Sequence, residues 1–255
     1  MPPLLPPLGQ PFVSYATLGS TNDEGRRMIE EGVAQSGMAI FTANQLQGKG
    51  QRGKIWASEK DQGIALTILL QPHFLTVSQQ FLLSAAVAVG VRNFLAEHVD
   101  QPERFTIKWP NDIYYDHRKI AGILIENSIR PNAGWQWAII GIGINVNQEN
   151  FSAALPNPIS LFQITQQKND PSTLAKELCL SLHQTFQSLV ETTSHQIIDA
   201  YQSRLYKKGQ VCSFKKGDVS FQAIPLGITP TGELLLDRIE HPIQFGEIEW
   251  KIEQS

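Results

Sequence analysis

Cysteine is nearly absent: among 255 residues only Cys179 and Cys212 occur, far apart and without metal-ligand spacing. Two distant thiols suit buried side chains in a reducing compartment, here the cytoplasm, better than a disulfide framework. The six histidines are scattered and no His-Glu-x-x-His pattern occurs, so a zinc site is not expected. No sign of charge dominates either. The 21 basic and 24 acidic residues leave a net charge of -3, which offers nucleic acid no bulk attraction. Long hydrophobic runs are missing, the longest being Ile64 to Leu70, far too short to cross a bilayer, so no membrane partner is expected. The opening Met1-Pro2-Pro3-Leu4-Leu5-Pro6-Pro7-Leu8 has no basic region and carries prolines that spoil a signal helix; it reads as a loose lead-in arm.

With 42% hydrophobic and 18% charged residues, the composition is that of a soluble globular chain, long enough for one large domain or a large and a small one. Phe12 to Tyr15 reads as an opening strand, and Thr21 followed by Glu24 as a capping box for a helix reaching about Glu31. Met38 to Ala43 and Ile64 to Leu70 are further strands, and Gln79 to Glu97 is an apolar helix weakened at Gly90. Phe105 to Trp109, Ile120 to Glu126 and Trp135 to Val146 read as strands, with a short edge at Tyr114 and Tyr115 and a hairpin across Asp116 to Arg118. Asp170 and Ser194 can each cap a following helix. After Tyr206 the chain changes character. Short strands broken by Lys216-Gly217-Asp218, Pro230-Thr231-Gly232 and His241-Pro242 read as a small antiparallel barrel, so the boundary falls between residues 1–206 and 207–255.

The most telling stretch is Gln47-Gly48-Lys49-Gly50-Gln51-Arg52-Gly53-Lys54-Ile55-Trp56. Glycines let backbone N–H groups approach an anion while Lys and Arg supply charge, although a basic surface turn needs nothing more. The spacing is neither that of a phosphate-binding P-loop nor that of a dinucleotide fold. A second segment, Lys108-Trp109-Pro110-Asn111-Asp112, is followed by Lys119-Ile120-Ala121-Gly122-Ile123-Leu124. If the strands pair as a hairpin, Asp112 and Lys119 meet at one end of a sheet; otherwise they are an exposed ion pair of small worth. A third, Gly141-Ile142-Gly143-Ile144-Asn145, fits either a turn or the close approach of a ligand to a strand. A fourth, Ser20-Thr21-Asn22, fits either helix capping or contact with a polar ligand head.

These four segments, in this order, resemble the biotin protein ligases, or biotin–[acetyl-CoA-carboxylase] ligases, from about Phe12 to the C-terminus. The resemblance implies an α+β fold: a mixed β-sheet catalytic domain backed by helices, of the class II aminoacyl-tRNA synthetase-like, biotin/lipoate ligase type, with a small C-terminal SH3-like β-barrel. It implies that Gly48, Lys49, Gly50, Gln51, Arg52, Gly53, Lys54 and Trp56 close over biotin and biotinyl-5'-AMP. Ser20, Thr21, Asn22 and Gln45 would bind the ureido ring, and Gly122, Ile123 and Asn145 would complete the binding set. The loop carries fewer arginines than is usual in the family. Larger members have an N-terminal DNA-binding domain; only some ten residues precede the first strand here, so a ligase without operator binding is expected.

The implied chemistry has two halves. Biotin carboxylate attacks the α-phosphate of ATP, with Lys119, Arg52 and Mg²⁺ cancelling repulsion between two anions; no residue is assigned to the metal. A lysine amine of a biotin carboxyl carrier protein, the acceptor domain of acetyl-CoA carboxylase, then takes the acyl group, with Asp112 holding either the amine or the metal. Some relatives pair through sheet edges, so a homodimer is among the implied states. The competing readings are a lipoate protein ligase using the same adenylate logic, and a catalytically silent nucleotide- or nucleic-acid-binding protein.

Overall fold

Every residue of Gly63–Leu70 is buried, which only a strand covered on both faces can satisfy. The computed structural model, which describes residues 5–57, 59–191 and 194–252, places this strand inside a seven-stranded sheet. In chain order the elements are β1 (Phe12–Tyr15), α1 (Thr21–Glu30), β2 (Ala39–Thr42), β3 (Gly48–Lys49), β4 (Ile55–Trp56), β5 (Gly63–Leu70), α2 (Gln80–Ala96), β6 (Phe105–Lys108), β7 (Asp112–Tyr115), β8 (Arg118–Arg130), β9 (Gly134–Asn145), α3 (Leu161–Thr165), α4 (Pro171–Glu191) and α5 (Ser194–Ser203). Then follow β10 (Cys212–Lys216), β11 (Val219–Ala223), β12 (Pro225–Ile228), β13 (Leu234–Leu236) and β14 (Glu249–Lys251). The large sheet has the order β1-β2-β5-β9-β8-β7-β6. Only β1 and β2 run parallel, so the sheet is mixed, as expected.

Alternation along the strands divides the core. Ile40, Leu69 and Ile139 face α1 and its Met28, whereas Ala39, Phe41, Ile68, Leu70 and Ile140 join α2 and α4 in the larger core. Apolar nearly all round, α2 is sandwiched between the sheet and α4 and α5. Gly90 is there for room: an added Cβ would lie 2.7 Å from Leu182 Cδ2 on α4.

Several expectations change. Ser20, not Thr21, caps α1, accepting from Asp23 N at 3.4 Å. The Tyr114–Tyr115 segment is no edge, because β7 lies between β6 and β8 with Ile113, Tyr114 and Tyr115 buried. Residues 1–4 of the lead-in arm lie outside the described residues, but Leu8 is buried in the core. Asp170 caps α4, accepting from Thr173 N at 2.9 Å; the side chain of Ser194 lies outside the described residues.

The expected SH3-like barrel is not formed by the described residues. Strands β11-β10-β14 form a three-stranded sheet and β12-β13 a separate pair, and among the described residues no sheet closes on itself. Closure needs strands long enough to tilt and stagger around a ring. Here β13 and β14 have three residues each, and the β12–β13 register breaks between Pro225 and Gly227. This segment packs instead on the rest of the chain: Trp109 Nε1 donates to Gly232 O at 2.8 Å, and Tyr206 packs against Trp250 with ring centroids 5.7 Å apart.

Candidate functional site

The α1 face of the sheet runs short of side chains beyond the N-terminus of α1. Its cross-strand neighbours there are Ala65 and Gly143, Gly143 and Gly122, and Thr67 and Gly141. Small residues in register leave a hollow, and a cavity of about 670 Å³ opens over them. All the expected site residues line it except Gly48 and Gly53: Ser20, Thr21, Asn22, Gln45, Lys49, Gly50, Gln51, Arg52, Lys54, Trp56, Asp112, Lys119, Gly122, Ile123 and Asn145. Gly48 is buried behind the wall, where a Cβ would lie 2.3 Å from Trp56 O; Gly53 sits at the exposed tip of the loop with φ +75°.

One end of the cavity is a buried polar group. Gln45 Oε1 accepts from Thr21 N at 2.8 Å and from Thr21 Oγ1 at 3.2 Å, while Thr67 Oγ1 lies 2.8 Å from Thr21 Oγ1. Gln45 thus commits its carbonyl oxygen to Thr21, and its amide and the Ser20 hydroxyl keep donors for a ligand. Both polar ends of Asn22 are engaged within the protein. Its Nδ2 donates to Glu126 Oε2 at 2.7 Å and its Oδ1 accepts from Thr67 Oγ1 at 2.7 Å, so it braces α1 on the sheet. The Asn22 amide lies on Gly141, where a Cβ would come within 2.4 Å of Asn22 Oδ1.

The basic glycine loop is a two-stranded ribbon, with Gly48 opposite Trp56 and Lys49 opposite Ile55. Arg52 forms its turn with φ 57°. Trp56 lays its indole on the glycine floor: a Cβ at Gly143 would stand 2.4 Å from Trp56 Cε2, and one at Gly122 would stand 3.1 Å from Trp56 Cζ3. Lys49 Nζ pairs with Asp23 Oδ1 at 2.6 Å, and Arg26 joins Asp23 to Glu126 through contacts of 2.8 and 2.5 Å. Desolvation, the largest influence on Asp23, raises its pKa, but Lys49 and Arg26 together hold the carboxyl below its ordinary range. This chain of charges ties the ribbon through α1 to β8.

At the other end, the bulge between Ile113 and Tyr114 sets Tyr114 opposite Lys119, and Lys119 Nζ reaches Asp112 Oδ1 at 2.6 Å. The same ammonium lies 5.4 Å from the Trp56 ring centroid. Asn145 Nδ2 donates to Ile159 O at 3.0 Å and to Lys119 O at 3.4 Å, fixing the start of β8 against the end of β9. Asn111 donates to Ile123 O.

The profile of the biotin/lipoate A/B protein ligase family matches residues 16–145, half of the chain, a stretch that contains every residue expected at this site from the sequence but not the walls from Leu155 to Pro158 and Phe245 to Ile252. The chain belongs to that family. The bifunctional ligase/repressor BirA of Bacillus subtilis is 28% identical over 239 residues, covering 91% of this chain and 71% of its own length. The biotin–[acetyl-CoA-carboxylase] ligase of Paracoccus denitrificans is 28% identical over 229 residues, covering 87% of this chain and 92% of its own. In fold the chain is similar to the biotin protein ligase from Aquifex aeolicus solved with biotin and ATP, with a TM-score of 0.74, 22% identity and 95% of each chain covered.

Within this family member, sequence reasoning missed the C-terminal wall. Phe245, Gly246, Ile248, Glu249 and Trp250 line the cavity, and the Arg52 guanidinium lies against Gly246, where a Cβ would sit 3.2 Å from Cζ. Leu155 to Pro158 line it as well. No local pattern announces such residues, because they join the site only through long-range packing. Lys108 was in view inside its motif but not assigned to the site, although it too lines the cavity.

Proposed function

We propose that this family member activates biotin with ATP as biotinyl-5'-AMP and passes the acyl group to a lysine of a biotin carboxyl carrier protein, as a biotin–[acetyl-CoA-carboxylase] ligase does. One observation carries the reading: a buried hydrogen-bonding group suited to a cyclic urea, the Lys119–Asp112 pair and the cationic ribbon all open on one cavity. Ser20 and Gln45 would donate to the ureido oxygen. Lipoate has no such head, which favours biotin over the other substrate class of the family.

In the first half-reaction the biotin carboxylate attacks the α-phosphorus and pyrophosphate leaves. Both partners are anions, so Lys119 and Arg52 lower the barrier by cancelling their repulsion within a partly desolvated cavity. Among the described residues no three His, Cys, Asp or Glu side chains are grouped for a metal. Asp112, which lines the cavity, would either hold a Mg²⁺ carried on substrate phosphates, where the ion would neutralise charge, or act on the acceptor amine. In the second half-reaction an acceptor amine attacks the anhydride carbonyl and AMP leaves. Free lysine is only about 0.04% unprotonated at pH 7, so the amine needs a partner for its proton, and in the second of those roles Asp112 would orient it. The ribbon, with Trp56 on the sheet, would keep water from the anhydride.

Residues 1–206 would carry binding and chemistry, and 207–255 would supply one wall. Should two copies pair through a sheet edge, β1 is the outer strand that would serve, because Arg204 to Tyr206 hydrogen-bond along β6 at Ile107, with N–H to O distances of 2.7 and 2.9 Å. Among the described residues no helix is long and apolar enough to cross a membrane.

Biotin-dependent exchange of labelled pyrophosphate into ATP is the test. It should be strong for the natural chain, absent with lipoate, and reduced about a hundredfold or more in Lys119→Ala. Exchange driven by lipoate and not by biotin would overturn the assignment.

A further inference from the structure

Of the five lysines lining the cavity, Lys49 and Lys119 each hold a carboxylate at 2.6 Å, Lys251 holds Glu249 at 3.0 Å and Lys54 is exposed. Lys108 differs. It is half-buried at the end of β6, and among the described residues its ammonium makes no ion pair or hydrogen bond. It rests instead between two aromatic rings, 5.7 Å from the Tyr114 centroid and 5.8 Å from that of Trp250. Burial pulls the Lys108 pKa below the ordinary lysine value, and Lys119 and Lys54 add repulsion that Asp112 and Glu249 oppose without removing the shift. Asp112 stands opposite Lys108 in the β6–β7 register, but its carboxylate is engaged by Lys119.

A cation taken partly out of water without a counter-ion is unfavourable, and it persists where a ligand supplies the missing charge. We propose that Lys108 is an anion-binding residue of this cavity, seating the phosphates beyond the α-position of the nucleotide and the pyrophosphate they become. The aromatic pair holds the ammonium on a cavity that Lys54 and Lys119 also line, so that three positive groups can face one oligophosphate. This deepens the ligase reading and rests on it for the identity of the anion. The seat itself is a matter of charge and geometry, and can be measured without turnover.

The probe is inorganic pyrophosphate, titrated calorimetrically into the natural chain, Lys108→Met and Lys108→Arg. Methionine keeps an unbranched apolar stem against Tyr114 and Trp250. Because it removes an unpaired, half-buried charge, Lys108→Met should melt no lower than the natural chain. Its pyrophosphate affinity should fall about ten- to a hundredfold, the cost of one charge-assisted hydrogen bond, with partial recovery in Lys108→Arg. In the exchange assay the KM for pyrophosphate should rise while the KM for biotin stays within about twofold, a split expected of contacts made to one substrate alone. Equal pyrophosphate affinity in the natural chain and Lys108→Met would overturn the proposal. So would a defect confined to transfer from pre-formed biotinyl-5'-AMP, which would assign Lys108 to the acceptor amine's proton instead. Pyrophosphate binding that depends on Lys108 in a chain lacking biotin-dependent exchange would leave the seat standing and sink the ligase reading.

Discussion

Gly143→Ala isolates what the bare floor of the cavity does. The new methyl would stand 2.4, 2.7 and 2.8 Å from Trp56 Cε2, Nε1 and Cζ2, too close for the indole to remain. Gly143 cannot retreat, because it is paired on both sides, with Ala65 of β5 and Gly122 of β8. The indole therefore lifts, and the ribbon that carries it loses its anchor. Overpacking of this kind costs about 1–3 kcal/mol, or about five- to 150-fold in the ratio of docked to undocked ribbon. Melting temperature should barely move, since the affected element is a two-stranded ribbon at the surface. Proteolysis between Gly48 and Lys54 should quicken, and biotin-dependent exchange should fall by a factor within that range. Gly122→Ala is the graded control: its methyl meets Trp56 Cζ3 at 3.1 Å, a contact that a shift of a few tenths of an ångström relieves. A double-mutant cycle completes the test. If the damage acts through the indole, Gly143→Ala added to Trp56→Ala should do little further harm; fully additive losses would mean that the methyl obstructs the ligand directly, and would refute the anchoring argument.

Other outcomes follow from the same geometry. Asn22→Ala should destabilise the protein by about 1–3 kcal/mol, because it strips Thr67 and Glu126 of buried partners; a melting temperature unchanged within a degree would show that those bonds are replaceable. Burial pushes the Cys179 thiol up to about 12. The unfolded thiol titrates near about 8.5, so the stability gained by keeping it neutral is full below that pH and is lost as pH rises towards the folded value. At pH 9, iodoacetamide counted by mass spectrometry should label Cys179 in denaturant and spare it in the native protein.

Much of the architecture was legible because strands buried on both faces, such as Ile64 to Leu70, advertise themselves by composition, and so does an apolar helix as long as α2. The short helix α3 has too few residues to show a period. The barrel was expected because three turn signals break the last segment into strands, yet turn signals say nothing of which strand pairs with which. A hairpin brings Lys119 and Asp112 to one end by local geometry, but it was the family resemblance that assigned them to the site. Phe245 to Trp250 were not assigned, since nothing between residues 112 and 245 fixes their distance except the packing of the whole molecule. Asn22 shows the opposite limit: its place at the cavity was legible, but not that Thr67 and Glu126 already engage it.

The indole of Trp109 sits in the motif that ends β6 and gives its one N–H to a carbonyl in the C-terminal segment. That bond makes the last fifty residues something other than an appendage. Cutting the chain after Tyr206 would strand a donor inside the protein, uncover Tyr206 and open the reaction chamber along one side. Loss of this segment would therefore be felt in folding and in chemistry together.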